Sequence, residues 1–540
     1  MKITNIRAGH IAVLSVSIFT AAYFIWVLSF YKPTYATMGD EHGYFLQARI
    51  IAEEGKTYRE PASILQYAGK DWVRGEGNRY YSIYPPGVPL LLAVLFKFFG
   101  PDAPMALNPV LAALVLVGVF FVCRSLAGAG WAALAVVLLE VNPLFTRHFI
   151  YALDAHIPVC FFLIWSVYFL FRWERSRAYS HAFLAGLLAG CVPSLHYGDS
   201  VILIAFAAFM AVNTGNDKVS RLSFFSAMGG FLIPAGALMV YNLRSFGNAL
   251  STGYSLQYEI ANIFSLSYLR DNAMAYLSSL LENGGIFWFP MGMIGILLFL
   301  SRKGTWKKGL FYFLAVGPLT LLYMSYFVPA GNDLMTIRYL LAAILVYVVV
   351  TVQVLREMAG TSRVRALGLS VLVVLFTALM GIPTSLYYLE KTEQAKGFIV
   401  KVRDMAREKV PAGSVLVADN MTSDYLDYLG EWKLATTIVL EAKSGPKFIS
   451  YINSAAVNKY QVVGKNLSAG ERVYLFSKDL WKWAGSGRVF ILVNERELKY
   501  FQDNLPRGDT ITECGDIPLS GMLYEDHLSL AEWTRGKGIS

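Results

Sequence analysis

The sequence predicts an α-helical polytopic membrane protein that ends in a smaller α/β domain. Three observations carry this. Of the 540 residues, 55% are hydrophobic and 14% aromatic against 16% charged, and the mean hydropathy is +0.46, outside the range of soluble globular chains. Apolar runs of membrane length, about 20 residues, recur as far as Tyr387. Beyond it the pattern changes to short β-type runs alternating with helical stretches.

The apolar runs begin near residues 10, 103, 129, 155, 180, 199, 221, 285, 309, 335 and 366, which predicts eleven transmembrane helices. A further segment, Val88-Pro-Leu-Leu-Leu-Ala-Val-Leu-Phe-Lys-Phe-Phe99, is short, carries Lys97 and stops at Gly100-Pro101. It reads as a helix lying in or dipping into the interface rather than spanning.

Lys and Arg support that choice, because short cytoplasmic loops collect them. With segment 88–99 not spanning, one side holds Lys2, Arg7, Arg124, Arg172, Arg175, Arg177, Lys218, Arg221, Arg302, Lys303, Lys307, Lys308, Arg356, Arg363 and Arg365. The short connections on the other side hold Arg147, Arg244, Arg270 and Arg338. The N-terminus is therefore expected in the cytoplasm, and loop 32–102 and the region after Tyr387 outside. The net charge of +9 follows from this topology and does not call for nucleic acid. Four cysteines, with Cys123, Cys160 and Cys191 inside apolar runs, build no disulfide framework.

Two domains are expected: a transmembrane domain over 1–390 and an extracytoplasmic α/β domain over 391–540. The second has β-type runs at Ser414–Ala418, Arg472–Phe476 and Arg488–Val493, with helical stretches at Lys391–Lys409 and Glu495–Gln502. It carries no Gly-rich phosphate loop, no paired Cys/His ligands and no GxSxG elbow. A structural or acceptor-handling role is expected of it.

The most informative feature is the carboxylate pair in Met38-Gly-Asp-Glu-His-Gly-Tyr44, directly after the first apolar run. With Ala48 and Ile51-Ala-Glu-Glu-Gly55 it reads as a polar turn leading into a short amphipathic helix ended by Gly, with Asp40 and Glu41 at its start. An Asp there also caps a helix without any further role. Later in the loop, Tyr84-Pro-Pro-Gly-Val-Pro89 makes a rigid entry into the interfacial helix.

Other polar groups share the outer side. Asp154 heads a span in Tyr151-Ala-Leu-Asp-Ala-His156, and an ionisable group there either snorkels to water or lines a cavity. Leu195-His-Tyr-Gly-Asp199 interrupts two apolar runs, where a polar break must be buried in protein or line a cavity. Arg338, at the outer end of a span, offers a permanent charge and paired donors, the chemistry that holds a phosphate, and an Arg there also anchors a helix at headgroup level. Glu140 lies in an apolar run near its outer end. Asn420-Met-Thr422 and Asn466-Leu-Ser468 are glycosylation triplets.

Taken in order, these motifs resemble the GT-C superfamily of membrane glycosyltransferases, in its protein O-mannosyltransferase and aminoarabinose-transferase (ArnT-like) branch. The first loop has the Asp40-Glu41 pair, Tyr44, Ala48, Gly55, Tyr84-Pro-Pro86 and Gly100, and the second has Asp154. Tyr241-Asn-Leu-Arg-Ser-Phe-Gly247 with Thr252-Gly-Tyr254, and Ile337-Arg-Tyr-Leu340, look like signatures of bacterial members. The match covers roughly 10–390.

The resemblance implies transfer of a sugar from a polyprenyl phosphate to a hydroxyl of a lipid, glycan or protein at the outer face of a membrane, a bacterial inner membrane. It implies a single inverting displacement. Asp40 is then the candidate base, with Glu41 as its helper. Asp154 and Tyr254 are candidates on the acceptor side, and Arg338, Arg244 and His196 candidates for the donor phosphate. A divalent cation, Mg or Mn, held by Asp40 and Asp154 is the one cofactor the residues leave open. The rival class is a multi-span transporter, which would carry its ionisable groups near mid-membrane on broken helices. A third reading is a non-catalytic scaffold that presents the C-terminal domain.

Overall fold

The computed structural model describes residues 2–31, 39–69, 71–77, 79–150, 153–215, 217–257, 263–284, 288–327, 337–427, 430–437, 468–517 and 527–536. Every expected apolar run has a helical counterpart among them. Among the described residues, five helices are long and apolar enough to cross a membrane: Ala103–Ala127, His156–Ser176, Lys218–Phe246, Arg338–Ala359 and Arg363–Lys409. Ala129–Glu140 and Pro143–Ile150 together are also long and apolar enough but are bent by 67° at the break between them, the geometry of a broken span or a re-entrant loop. Tyr179–Leu195, Gly198–Asn213 and Trp288–Ser301 are apolar but shorter, and the first helix runs Lys2–Phe30. The Asn142-Pro143 break and the Leu195-His196-Tyr197 break interrupt two of the apolar runs within the bundle.

Burial sorts these helices. The apolar window of Arg338–Ala359 is 78% buried and sits at the centre, whereas those of Lys218–Phe246 and Arg363–Lys409 are 17% buried and turn Leu232, Ile233, Leu372 and Leu379 outward to the lipid. Small residues set the closest packing. A Cβ on Gly186 would fall 1.9 Å from the Ala227 carbonyl, so Tyr179–Leu195 and Lys218–Phe246 touch through backbone. Segment 88–99 forms the helix Gly87–Phe99, whose 13 residues reach about 20 Å, short of a bilayer core. It buries Val88 and Leu92 and exposes Leu90, Val94, Phe98 and Phe99, as an interfacial helix does.

The first loop, after the first apolar helix, folds as the helix Gly39–Glu54, packed on Gly87–Phe99, and a small antiparallel sheet of β1 (Tyr58–Arg59), β3 (Tyr80–Ser82) and β2 (Trp72–Arg74) in the order β1-β3-β2. The C-terminal region contains a five-stranded sheet of β4 (Val415–Ala418), β5 (Lys433–Thr436), β6 (Val489–Asn494), β7 (Thr510–Ile517) and β8 (Leu528–Thr534). Its order is β5-β4-β6-β8-β7, with β5, β4 and β6 parallel and β8 and β7 antiparallel.

Arg472–Phe476, expected as a strand, is helical within Ala469–Ala484. A reciprocal capping box between Ser468 and Glu471 starts this helix, and Val473, Phe476, Ser477, Leu480 and Ala484 bury one face at helical spacing. The expected boundary at residue 390 falls inside a continuous helix, Arg363–Lys409, whose Val402 and Ala406 pack with Leu416 and Phe490 of the sheet. The first loop also enters this region: Leu65 and Tyr67 are fully buried in its two cores, and Gln66 bridges Ala435 at the edge of β5. Burying Leu65 alone contributes about 1.5–3 kcal/mol. Asn466, Tyr151 and Ala152 lie outside the described residues.

Candidate functional site

Asp40 and Glu41 occupy the first turn of the Gly39–Glu54 helix, where the unpaired amides and the helix dipole favour negative charge. Glu41 is buried, and the Asp40 side chain is 36% exposed. Asp40 meets Arg338, which opens a short 3₁₀ turn, Arg338–Leu340, at the N-terminal end of the central helix. Arg338 Nη2 donates to Asp40 Oδ2 at 2.9 Å and to the Tyr339 hydroxyl at 3.0 Å. Residues separated by 298 positions in sequence are thereby joined.

Asp154 lies on the facing wall. Its Oδ2 is 2.5 Å from His148 Nδ1, and its Oδ1 accepts the His156 backbone N–H, also at 2.5 Å. Asn108 donates to the Asp154 carbonyl at 3.1 Å. Burial pushes the Asp154 carboxyl up, but His148 and His156 beside it outweigh burial and hold it below the usual carboxylate range. His196 is 2.9 Å from Asp199 Oδ2 through Nδ1, and its ring meets His156 edge-on with centroids 5.2 Å apart.

Asp40, Glu41, Asp154, His156, His196 and Arg338 line one cleft of about 40 Å³, together with Tyr44, Tyr84, Tyr254 and Tyr339. Through His196, Tyr254 and Tyr339 it adjoins a second cavity of about 370 Å³, walled by Tyr197, Ile263, Phe264, Leu322, Tyr323 and Tyr326. Stacked rings stiffen this wall: Tyr44 on Tyr84 at 4.5 Å and Tyr323 on Tyr339 at 4.6 Å. Burial raises Tyr44, Tyr84 and Tyr254 above the usual phenol range, so at neutral pH they remain hydroxyl donors.

Of the residues given a catalytic, acceptor-side or phosphate role from sequence, Arg244 is absent from the lining of this cleft. It is exposed in the last turn of Lys218–Phe246, where a cation complements the helix C-terminus. Glu140 is fully buried at the end of Ala129–Glu140 and does not line the cleft either. His148 and the ring set of Tyr323 and Tyr339 are what sequence reasoning missed. Tyr339 sits in the quoted Ile337-Arg-Tyr-Leu340, whereas His148 gives no local signal, because its partner Asp154 lies beyond the helix end.

Residues that can hold a cation are also present. His156, His196 and Asp199 each offer one ligand atom, all within 4.8 Å of one another, and a set of two imidazoles and a carboxylate suits a transition metal. Asp40 and Asp154, the pair expected from sequence, share the cleft, but Asp40 is engaged with Arg338 and Asp154 with His148 and His156. The His156 end of the cleft therefore fits a cation better than the space between those two carboxylates.

No protein-family profile matches the chain, and no curated protein matches its sequence. Solved structures do match its fold. ArnT from Cupriavidus metallidurans bound to undecaprenyl phosphate superimposes with a TM-score of 0.62 at 12% identity, over 96% of this chain and 97% of that one. The archaeal oligosaccharyltransferase AglB from Archaeoglobus fulgidus, in complex with an inhibitory peptide and a dolichol-phosphate, gives 0.50 at 13% identity, over 91% of this chain and 70% of that one. The mycobacterial arabinofuranosyltransferase AftD gives 0.53 at 10% identity, over 97% of this chain but 40% of that one. These are GT-C proteins, and the chain has the GT-C fold, with ArnT-like proportions.

Proposed function

Starting from this GT-C fold, we propose that the protein is an integral-membrane glycosyltransferase that moves a sugar from a polyprenyl-phosphate donor to an acceptor hydroxyl at the extracytoplasmic face. The observation that carries the reading is the Asp40–Arg338 pair at 2.9 Å, in a cleft that adjoins an aromatic cavity of about 370 Å³. The two partners supply opposite requirements of one reaction. Asp40 takes the proton of the acceptor hydroxyl as its oxygen bonds to the anomeric carbon. The bond from that carbon to the phosphate oxygen breaks, and the phosphate leaves with the electron pair toward the Arg338 guanidinium. One displacement inverts the anomeric carbon and forms no sugar–enzyme bond.

Glu41 buttresses the base from the same turn, and Asp154 and Tyr254 shape the acceptor side. His196 stands beside Arg338 on the donor side. The apolar cavity suits the isoprenoid nearest the phosphate, consistent with the polyprenyl phosphates bound to ArnT and AglB. A cation held by His156, His196 and Asp199 would fix that wall and supply positive charge beside the cleft. The C-terminal α/β region lies outside the membrane in this reading.

Purified protein in vesicles, given a labelled polyprenyl-phospho-sugar and extracted host lipid, glycan or protein, tests the proposal. The expected result is label covalently attached to one acceptor fraction. Label crossing the vesicle membrane without attachment would instead establish a transporter.

A further inference from the structure

The first turn of the Gly39–Glu54 helix works in two directions. At about 100° per residue, His42 points about 200° away from Asp40, to the opposite side of the helix. There its Nε2 lies 2.9 Å from Asp427 Oδ2, and its Nδ1 lies 3.5 Å from Asp424 Oδ1. Arg59 Nη1 donates to the same Asp427 oxygen at 2.8 Å and to the Ala68 carbonyl at 3.2 Å. The Tyr67 hydroxyl donates to Asp424. Asp424 and Asp427 are three residues apart on the helix Asn420–Asp427, so both face the first loop.

This contact is buried and closely fitted. His42 is 1% exposed, and Asp424 and Asp427 are buried. Gly69, with φ +98°, presses against it, since a Cβ there would come 2.9 Å from His42 Cε1. Backbone pairing reinforces it, with Tyr67 N–H donating to the Leu434 carbonyl at 2.8 Å. The partners are 357 to 385 residues apart in sequence, so the contact forms only when the C-terminal region docks on the first loop.

We propose that this cluster is a positioning device: Asp427, acting through His42, fixes the turn that carries Asp40. The proposal rests on Asp40 being the base. Arg338 holds that turn from the cleft side and Asp427 holds it from the other, which sets its rotation about the helix axis. His42, Arg59 and Asp427 are positioning residues and touch no substrate. The C-terminal region thereby controls the geometry of a cleft that its described residues do not line.

The test uses the full chain and single-turnover transfer from a labelled polyprenyl-phospho-sugar. Asp427→Asn keeps the shape and removes the charge, and its transfer rate is expected to fall on the order of tenfold to a hundredfold, the effect of a displacement of about 1 Å at a reacting group. The amplitude of the turnover and the KM for donor stay near wild type, whereas a loss of folded protein would lower the amplitude and spare the rate. Asp427→Glu, which restores the carboxylate, recovers most of the rate. A wild-type rate in Asp427→Asn, or an Asp427→Glu no faster than Asp427→Asn, overturns the proposal. Should Asp427→Asn not yield folded protein, His42→Gln is judged by the same rate and amplitude criteria. Asp40→Asn run alongside separates the two ideas. A dead Asp40→Asn with an unaffected Asp427→Asn removes the positioning role alone, and an active Asp40→Asn removes the base reading and this proposal with it.

Discussion

Two buried clusters flank the same helical turn, and they look alike until their surroundings are compared. Asp154 is held by His148 and His156, and Asp427 by His42 and Arg59. In both, burial pushes the carboxyl up, and the basic partners bring it below the usual range. The Asp154 cluster, however, opens on a cleft shared with Asp40 and Arg338 and walled by tyrosines. The Asp427 cluster is packed by Tyr67, Gly69 and the edge of a sheet. A perturbed carboxylate therefore identifies a strained electrostatic environment, and only the adjoining cavity marks one as chemical.

The largest effect expected from this contrast comes from the cleft. Arg338→Gln removes the partner of Asp40 and, in the proposed reaction, the cation toward which the phosphate leaves, and should lower the transfer rate by about 10²–10³-fold, as loss of one strong electrostatic donor does. A drop smaller than that of Asp427→Asn would reverse the assignment of the two clusters. A smaller effect is expected of pH. Because the folded-state Asp427 carboxyl lies below its ordinary 3.8, its contribution to stability is complete above that value and is lost as pH falls through the lower, folded-state value. Thermal unfolding followed from pH 6 to acid should thus show wild-type Tm converging on that of Asp427→Asn only below about pH 4. A constant difference across the range would mean that the Asp427 charge contributes nothing.

Much of the cleft was legible in the sequence because its residues sit at helix ends next to apolar runs. Asp40, Asp154, His196 and Arg338 all interrupt or terminate such runs, and a common side of the membrane is enough to bring them near one another. Arg244 satisfied the same criterion yet lies elsewhere, since sidedness fixes depth and says nothing about which way a helix end faces. His148 escaped notice because its partner Asp154 lies six residues on, beyond the end of the helix Pro143–Ile150 that carries it. The helix at Arg472–Phe476 read as a strand because Val473, Tyr474 and Phe476 are also good strand formers, and the capping box at Ser468 was outweighed. The Asp427 cluster was invisible for a different reason. Its partners lie more than 350 residues apart, and only docking of the C-terminal region on the first loop makes them neighbours.

The most direct measurement of the central claim is the single-turnover rate of Asp40→Asn with donor saturation confirmed by binding of the labelled polyprenyl-phospho-sugar. Loss of a positioned base predicts a rate lowered by about 10²–10⁴-fold with donor affinity little changed. Transfer at the wild-type rate by donor-saturated Asp40→Asn would contradict the account.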